Sequence, residues 1–183
     1  MNRDDALKAI RERVKNENLV RHMLATEAIM RALAPRFGGD PDEWAMAGLL
    51  HDIDIELLGD DMKEHSKLGS ELARQLGAGE VIAHAILTHN EAHGVPAVSD
   101  MDKALFCTDP VTGLITATAL VRPDRKLASV EAKSVRKRFK EKSFAAGANR
   151  QNIATCSAIG IDLDEFIEIG VKAMQGVAAD LGL

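Results

Sequence analysis

Three polar points interrupt otherwise apolar helical stretches of this chain, and all of them are metal-ligand types. His51 and Asp52 are adjacent at the end of Trp44-Ala-Met-Ala-Gly-Leu-Leu-His-Asp-Ile53. His22 lies upstream in Leu-Val-Arg-His-Met-Leu-Ala, and Asp109 downstream in Ala-Leu-Phe-Cys-Thr-Asp-Pro. Imidazole nitrogen and carboxylate oxygen together suit a borderline first-row divalent ion, Fe, Mn, Co, Ni or Zn, better than Ca or Mg. Four such ligands leave positions open for water and substrate, as a catalytic site requires. Neighbouring helical residues point ~100° apart. His51 and Asp52 therefore reach one ion only along their shared edge, or Asp52 leans across to a second.

The order H…HD…D resembles the HD superfamily of metal-dependent phosphohydrolases, with the likeness running from about residue 18 to residue 116. Between the second and last ligands, His65 in Glu-His-Ser-Lys-Leu-Gly and His89 in Ala-Ile-Leu-Thr-His-Asn-Glu are similar to the additional ligands of the superfamily's dinuclear branch. The resemblance implies that His22, His51, Asp52 and Asp109 hold one ion and Asp52, His65 and His89 a second. Asp52 is then the bridging, catalytic carboxylate. Two ions ~3.5–4 Å apart clamp a phosphoryl group and acidify water. The expected activity is hydrolysis of a small phosphorylated metabolite, a nucleotide or dinucleotide. Two alternatives stand beside it: a di-iron oxygenase built on the same ligands, and a non-catalytic regulatory module that keeps its metal for structure.

One departure from the family pattern matters. Many members read His-Asp-Ile-Gly-Lys where this chain reads His51-Asp-Ile-Asp-Ile-Glu56, so a phosphate-binding lysine is absent. Nor does a Gly-Tyr-Pro run follow His89, which weakens a cyclic-dinucleotide phosphodiesterase reading. Asp54, a candidate catalytic residue, and Glu56 each have three open roles: activating water, orienting a ligand histidine, or lying solvated. His93 is a candidate substrate contact or a solvated loop residue, and His84 lies on a different helical face from His89. The basic run Lys133–Lys142, with Arg138 as its candidate phosphate contact, and Asn149-Arg150 beyond it offer replacement cations. The alternative is an amphipathic helix that half-buries Val130, Val135, Phe139 and Phe144.

The elements that must position these residues read as helices throughout. Capping side chains pair with first-turn acids at Asn2 with Asp5, Asp40 with Glu43, Ser99 with Asp102, and Asp162 with Glu165. Gly38, Gly77, Gly94, Gly160 and Gly182 follow apolar segments, as left-handed C-caps do. Helices are expected over 3–16, 19–36, 41–52, 65–76, 79–91, 100–121, 129–146, 149–159 and 163–181, with no strand alternation. The fold class is all-α, an HD-type helical bundle over 1–121 with a C-terminal helical extension, 122–183, packed on it. Pro110 is expected to push Asp109 out of helical geometry and so aim its carboxylate.

Composition narrows the class further. With 46% hydrophobic and 28% charged residues, the 183-residue chain has an ordinary globular composition. A formal charge of -5 and 3% aromatics, with no tyrosine, argue against capture or stacking of a nucleic-acid polymer. Cys107 and Cys156 are expected as buried free thiols. No run reaches the ~18 apolar residues a membrane span needs, so no membrane partner and a cytoplasmic location are expected. The apolar helix from Phe166 to Leu181 could serve a homodimer.

Overall fold

A computed structural model describes residues 1–59 and 62–183. Ten α-helices appear among the described residues: α1 (Arg3–Arg13), α2 (Glu17–Leu33), α3 (Pro41–Leu50), α4 (Lys67–Gln75), α5 (Glu80–Thr88), α6 (Asp100–Leu120), α7 (Ala132–Phe139), α8 (Arg150–Ala154), α9 (Leu163–Gly176) and α10 (Ala178–Leu181). Short 3-10 turns extend α2 at Ala34–Phe37 and α8 at Thr155–Ile159, and no strand is present among the described residues. The fold is all-α.

The helix starts are built largely as their capping residues dictate. Asn2 Oδ1 accepts the Asp5 N–H at 2.9 Å, and Asp40 Oδ1 accepts from Asp42 and Glu43. Ser99 and Asp102 form a reciprocal capping box at the head of α6. Asp162 departs from this pattern: it stands at the N-cap of α9 without capping through its side chain, and Glu165 instead pairs with Arg36. Every glycine expected as a C-cap has a positive φ, from 63° to 88°.

The expected 163–181 helix is divided into α9 and α10 at Val177, and two further differences have tertiary reasons. The 129–146 stretch is helical only over α7, because the Arg150 guanidinium gathers the backbone carbonyls of Arg138, Phe139, Glu141, Phe144, Ala145 and Ala148. Carbonyls that a longer helix would satisfy internally are satisfied there by one side chain. Arg150 is therefore a structural clasp rather than a phosphate contact, and Asn149 caps α8. The second difference lies in α6, which runs unbroken through Pro110 with Asp109 still helical. Burial of Leu105, Val111, Leu114 and Ile115 on both sides of the proline outweighs its local preference.

A single apolar cluster fills the interior from Ala6 in α1 to Leu181 in α10, so the helices beyond residue 121 share the core of those before it. Cys107 and Cys156 are both buried and free, and burial raises both thiol pKa values. Within this core α2 packs most extensively against α3. That crossing is close because Gly48 has no side chain: a Cβ there would lie 2.8 Å from the Thr26 carbonyl carbon and 2.9 Å from the Glu27 nitrogen. The obstacle is backbone, which cannot swing aside. Gly48→Ala should therefore cost about 1–3 kcal/mol, read as a lower melting temperature. An unchanged melting temperature would show that α3 has room to move off α2.

Candidate metal centre

The close α2–α3 crossing sets His22, one turn before Thr26, against His51, one turn after Gly48. Their Nε2 atoms are 3.0 Å apart. Asp109 of α6 reaches the same point, its Oδ1 3.0 Å from His22 Nε2 and 3.8 Å from His51 Nε2. Asp52 Oδ2 completes this group, 3.5 Å from His22 Nε2 and 3.4 Å from His51 Nε2. The other oxygen of Asp52 faces a second pair. Oδ1 is 3.4 Å from His65 Nε2 and 3.6 Å from His89 Nε2, and those two nitrogens are 3.2 Å apart.

The Nδ1 atoms explain why every Nε2 faces inward. His51 Nδ1 donates to the Gly48 carbonyl at 2.8 Å, and His89 Nδ1 to the Ile86 carbonyl at 2.5 Å. His65 Nδ1 donates to Asp54 Oδ1 at 3.0 Å. Thr112 donates its hydroxyl to the Asp109 carbonyl, which leaves its oxygen to accept from His22 Nδ1 at 2.8 Å. The protons of all four neutral rings are thereby assigned, by the network, to Nδ1. Each Nε2 presents a lone pair to another lone pair, and an N···N approach of 3.0 or 3.2 Å between two acceptors needs a cation or an added proton between them.

A metal ion fits that requirement. With metal–nitrogen bonds of ~2.0–2.1 Å, two imidazoles on adjacent positions of one tetrahedral or octahedral ion stand about 2.9–3.4 Å apart, which brackets both observed pairs. Two groups of donors, His22–His51–Asp52 and Asp52–His65–His89, are each compact enough to hold one ion, and Asp52 is common to both. Second partners on the far ring nitrogens are what metal-bound histidines usually have.

Asp54 is fully buried and has no free oxygen facing water. Besides His65, it accepts the backbone N–H groups of Ser66 and Gly69, both at 2.8 Å. It thus caps α4 from outside, in place of Ser66, whose own side chain does not cap. Ser66 adopts φ +70°, a strained left-handed geometry held by Asp54 on its nitrogen and by its hydroxyl donating to the Leu87 carbonyl. Gly69 leaves space for the carboxylate, since a Cβ would press to 3.2 Å of it. Glu56 does different work: its oxygens accept the N–H groups of Lys15 and Asn16 and tie the α1–α2 connection to the segment after α3.

The remaining candidates lie outside the donor cluster. His93 Nε2 donates to the His65 carbonyl at 2.5 Å, so it braces the loop that carries His65. Arg138 pairs with Glu141 at 2.6 Å and lies over the Phe144 ring, 4.6 Å from its centroid. His84 bonds Asp102 at 3.0 Å in the α6 capping box. Sequence reasoning missed Thr112 and Gly48 altogether. Each stands three residues from a candidate ligand on the same helical face, Thr112 after Asp109 and Gly48 before His51, and that spacing was the available signal.

The HD domain family matches residues 19–137, well over half of the chain. The chain belongs to the HD domain family. HD domains bind divalent metals, and the match supports a metal-dependent hydrolase. It extends past residue 121 into α7. The chain is 27% identical over 139 residues to ribonuclease Y of Sulfurovum sp., covering 74% of this chain and 27% of that protein. It is 24% identical over 169 residues to ribonuclease Y of Campylobacter hominis, covering 89% of this chain and 32% of that protein. Over 80 residues it is 34% identical to ribonuclease Y of Lawsonia intracellularis, covering 44% of this chain and 15% of that protein. The chain thus spans a third or less of the length of these relatives. No solved structure matches it.

Protons and metal ions compete for the same lone pairs. Burial works against a charged His22, but hydrogen bonds with Asp109 and Asp52 overcome it and raise its pKa from 6.5 to about 9. His51 is likewise raised, burial again being outweighed by Asp52 and Asp109. Asp52 and Asp109 are lowered, because the histidines outweigh burial. A group raised in the folded state stabilises fully below its unfolded pKa and loses that contribution as pH climbs through the folded value. Metal-free protein should therefore lose melting temperature between about pH 6.5 and 9, and saturating Mn²⁺ should suppress the loss. A melting temperature flat over that window would contradict the proton-for-metal exchange. Asp54→Asn should weaken metal binding about 10–100-fold, measured by titration with a chromophoric chelator.

Proposed function

We propose that the protein is a metal-dependent phosphohydrolase acting on a small phosphorylated metabolite, a nucleotide or dinucleotide. One observation carries the reading: the two oxygens of Asp52 face two separate histidine pairs, an arrangement suited to two ions sharing one carboxylate. Bound divalent ions would neutralise phosphoryl oxygens and lower the pKa of water toward about 7.

The residues of the chain govern how substrate reaches that centre. His51 is fully buried and His89 nearly so, while the side chains of His22 and Asp109 are 22% and 35% exposed. Substrate and water therefore arrive over His22 and Asp109, and His51 and His89 form the floor. Asp109 and Asp52 supply the negative charge that binds cations, and they hold it because neighbouring imidazoles depress their pKa values. The Nδ1 acceptors fix the four rings before substrate binds, which removes reorganisation from the reaction. Asp54 positions His65 and has no path to the substrate. His93, through the His65 carbonyl, steadies the same residue from the other side.

A second reading comes from the relatives. Their name, ribonuclease Y, assigns them RNA cleavage, and an RNA phosphodiester is a chemically equivalent target for two metal ions. The acidic net charge and scarcity of aromatics favour the small substrate.

The test is metal content and turnover on protein purified without added metal. Two ions per chain, falling to one in His65→Ala, are expected, with hydrolysis of nucleotides or dinucleotides exceeding that of single-stranded oligoribonucleotides. Asp52→Ala should lower turnover at least about a thousandfold, equivalent to several kcal/mol of lost charge stabilisation. Faster cleavage of oligoribonucleotides would select the second reading. One ion, unaffected by His65→Ala, would remove the dinuclear premise.

A further inference from the structure

The absent lysine leaves the metal centre without an obvious cation for a second charged group, and the arginines in and just beyond the basic run are already engaged. Arg136 pairs with Asp164, Arg138 with Glu141, and Arg150 binds carbonyls. The same holds for most arginines elsewhere: Arg3, Arg11, Arg31, Arg36 and Arg74 each contact a carboxylate. Arg21 is different. It adjoins the ligand His22, is exposed, and has no hydrogen-bond or ion-pair partner among the described residues.

Arg21 also lines a cavity. A groove of about 350 Å³ opens beside His22, between the first turns of α2 and the second half of α6. Asn18 and Arg21 form one wall, and Thr112, Thr116 and Leu120, one per turn, form the other. The closing segment is the stretch after α10, where Gly182 lies against the Arg21 guanidinium, a Cβ there falling 3.3 Å from its carbon. No Asp or Glu lines this groove among the described residues. Two larger cavities, of about 590 and 500 Å³, include no residue of the metal cluster.

The groove begins at the exposed edge of the metal centre. Asp109 and Leu120 are about eleven residues apart on one helix, so it extends ~16 Å from the centre at ~1.5 Å per residue. Its volume is at the lower end of small-molecule sites, ~300–1,000 Å³. Beyond the His22 imidazole at its inner end, its walls are the Asn18 amide, hydroxyls, aliphatic carbons and the Arg21 guanidinium, with no Phe or Trp.

We infer that this groove holds the part of the substrate that does not react, and that Arg21 binds a second anionic group there, a phosphate or carboxylate carried on a compact aliphatic or hydroxylated body. The inference rests on the phosphohydrolase reading for what occurs at the metal centre, but its test reads binding and needs no turnover. Arg21 is then a specificity residue, taking the place of the lysine missing after His51-Asp52. Its planar fork suits an oxyanion better than an ammonium would.

The experiment compares alkane-1,3- to alkane-1,5-bisphosphonates with the matching monophosphonates, whose C–P bonds resist hydrolysis, by calorimetry on Mn²⁺-loaded protein. At one spacer length or more, the bisphosphonate should bind wild type about tenfold to a hundredfold tighter than the monophosphonate. Arg21→Ala should abolish that difference and leave monophosphonate affinity unchanged, and Arg21→Lys should restore part of it. Gly113→Leu supplies an independent check. Gly113 lines the groove, and a Cβ added there would meet nothing within 4 Å, so leucine fills the groove without displacing the core. It should weaken the bisphosphonates while preserving the melting temperature. Equal affinities in wild type at every spacer, or equal losses for both ligand types in Arg21→Ala, would overturn the inference. Failure of the hydrolase reading looks different: the affinity pattern would stand while no phosphate ester turned over.

Discussion

Four imidazole lone pairs pointed at one another are the constraint on which this structure turns. Neutral rings with their protons on Nδ1 cannot hydrogen-bond through Nε2 to a second Nε2, yet two pairs stand 3.0 and 3.2 Å apart in a nearly dry interior. Only positive charge between them makes the arrangement favourable. Asp52 makes the same demand from the opposite sign, since a buried carboxylate is costly without a cation. The fold is thus organised around charge that it does not itself carry, and its rigid parts can be understood as what keeps the rings from turning away.

That rigidity comes from backbone more than from side chains. Gly48 lets α3 approach the backbone of α2, and its carbonyl is also the acceptor that fixes His51. The Ile86 carbonyl does the same for His89 from within α5. A carbonyl on a packed helix has no rotamer to lose, so the ring it holds is ordered at little entropic cost. His65 has no such helix beneath it, because it precedes α4 rather than ending one. Asp54 substitutes, binding the ring with one oxygen and the first turn of α4 with the other. The carboxylate at the helix start is favourable in its own right, so ligand orientation and helix capping stabilise each other.

Much of this was legible in the sequence because it is local. The ordered histidines and aspartates stand out as polar points in apolar stretches, and the glycine C-caps follow from the left-handed geometry that a helix end requires. What was not legible depends on distant partners. Nothing near residues 140–146 announces that Arg150 will gather their carbonyls and end α7 early. Asp54 offered three roles on sequence and acquired one through contacts 11 to 15 residues away. Pro110 shows the reverse error, a local rule overridden by the apolar residues on either side of it. Thr112 was overlooked because a threonine in a helix is commonplace until a ring nitrogen is placed against it.

The distribution of exposure gives the site its direction. His65 and His89 are braced by Asp54, Ile86 and, through a carbonyl, His93, whereas His22 on the other side is flanked by Asp109 and by the groove that contains Arg21. Exchangeable chemistry belongs on the His22 side, where the least constrained candidate donor, Asp109, borders solvent. Most arginines elsewhere are tied to carboxylates or carbonyls, and an arginine left untied beside His22 is available for an anion brought in from outside. The selectivity of such a site depends on how far that anion lies from the reacting phosphoryl group, a distance set by the spacing of His22 and Arg21 on α2 and by the length of the α6 wall. Substrate choice at such a centre can therefore be set without altering the residues that face the metal, through side chains on the exposed flank of His22.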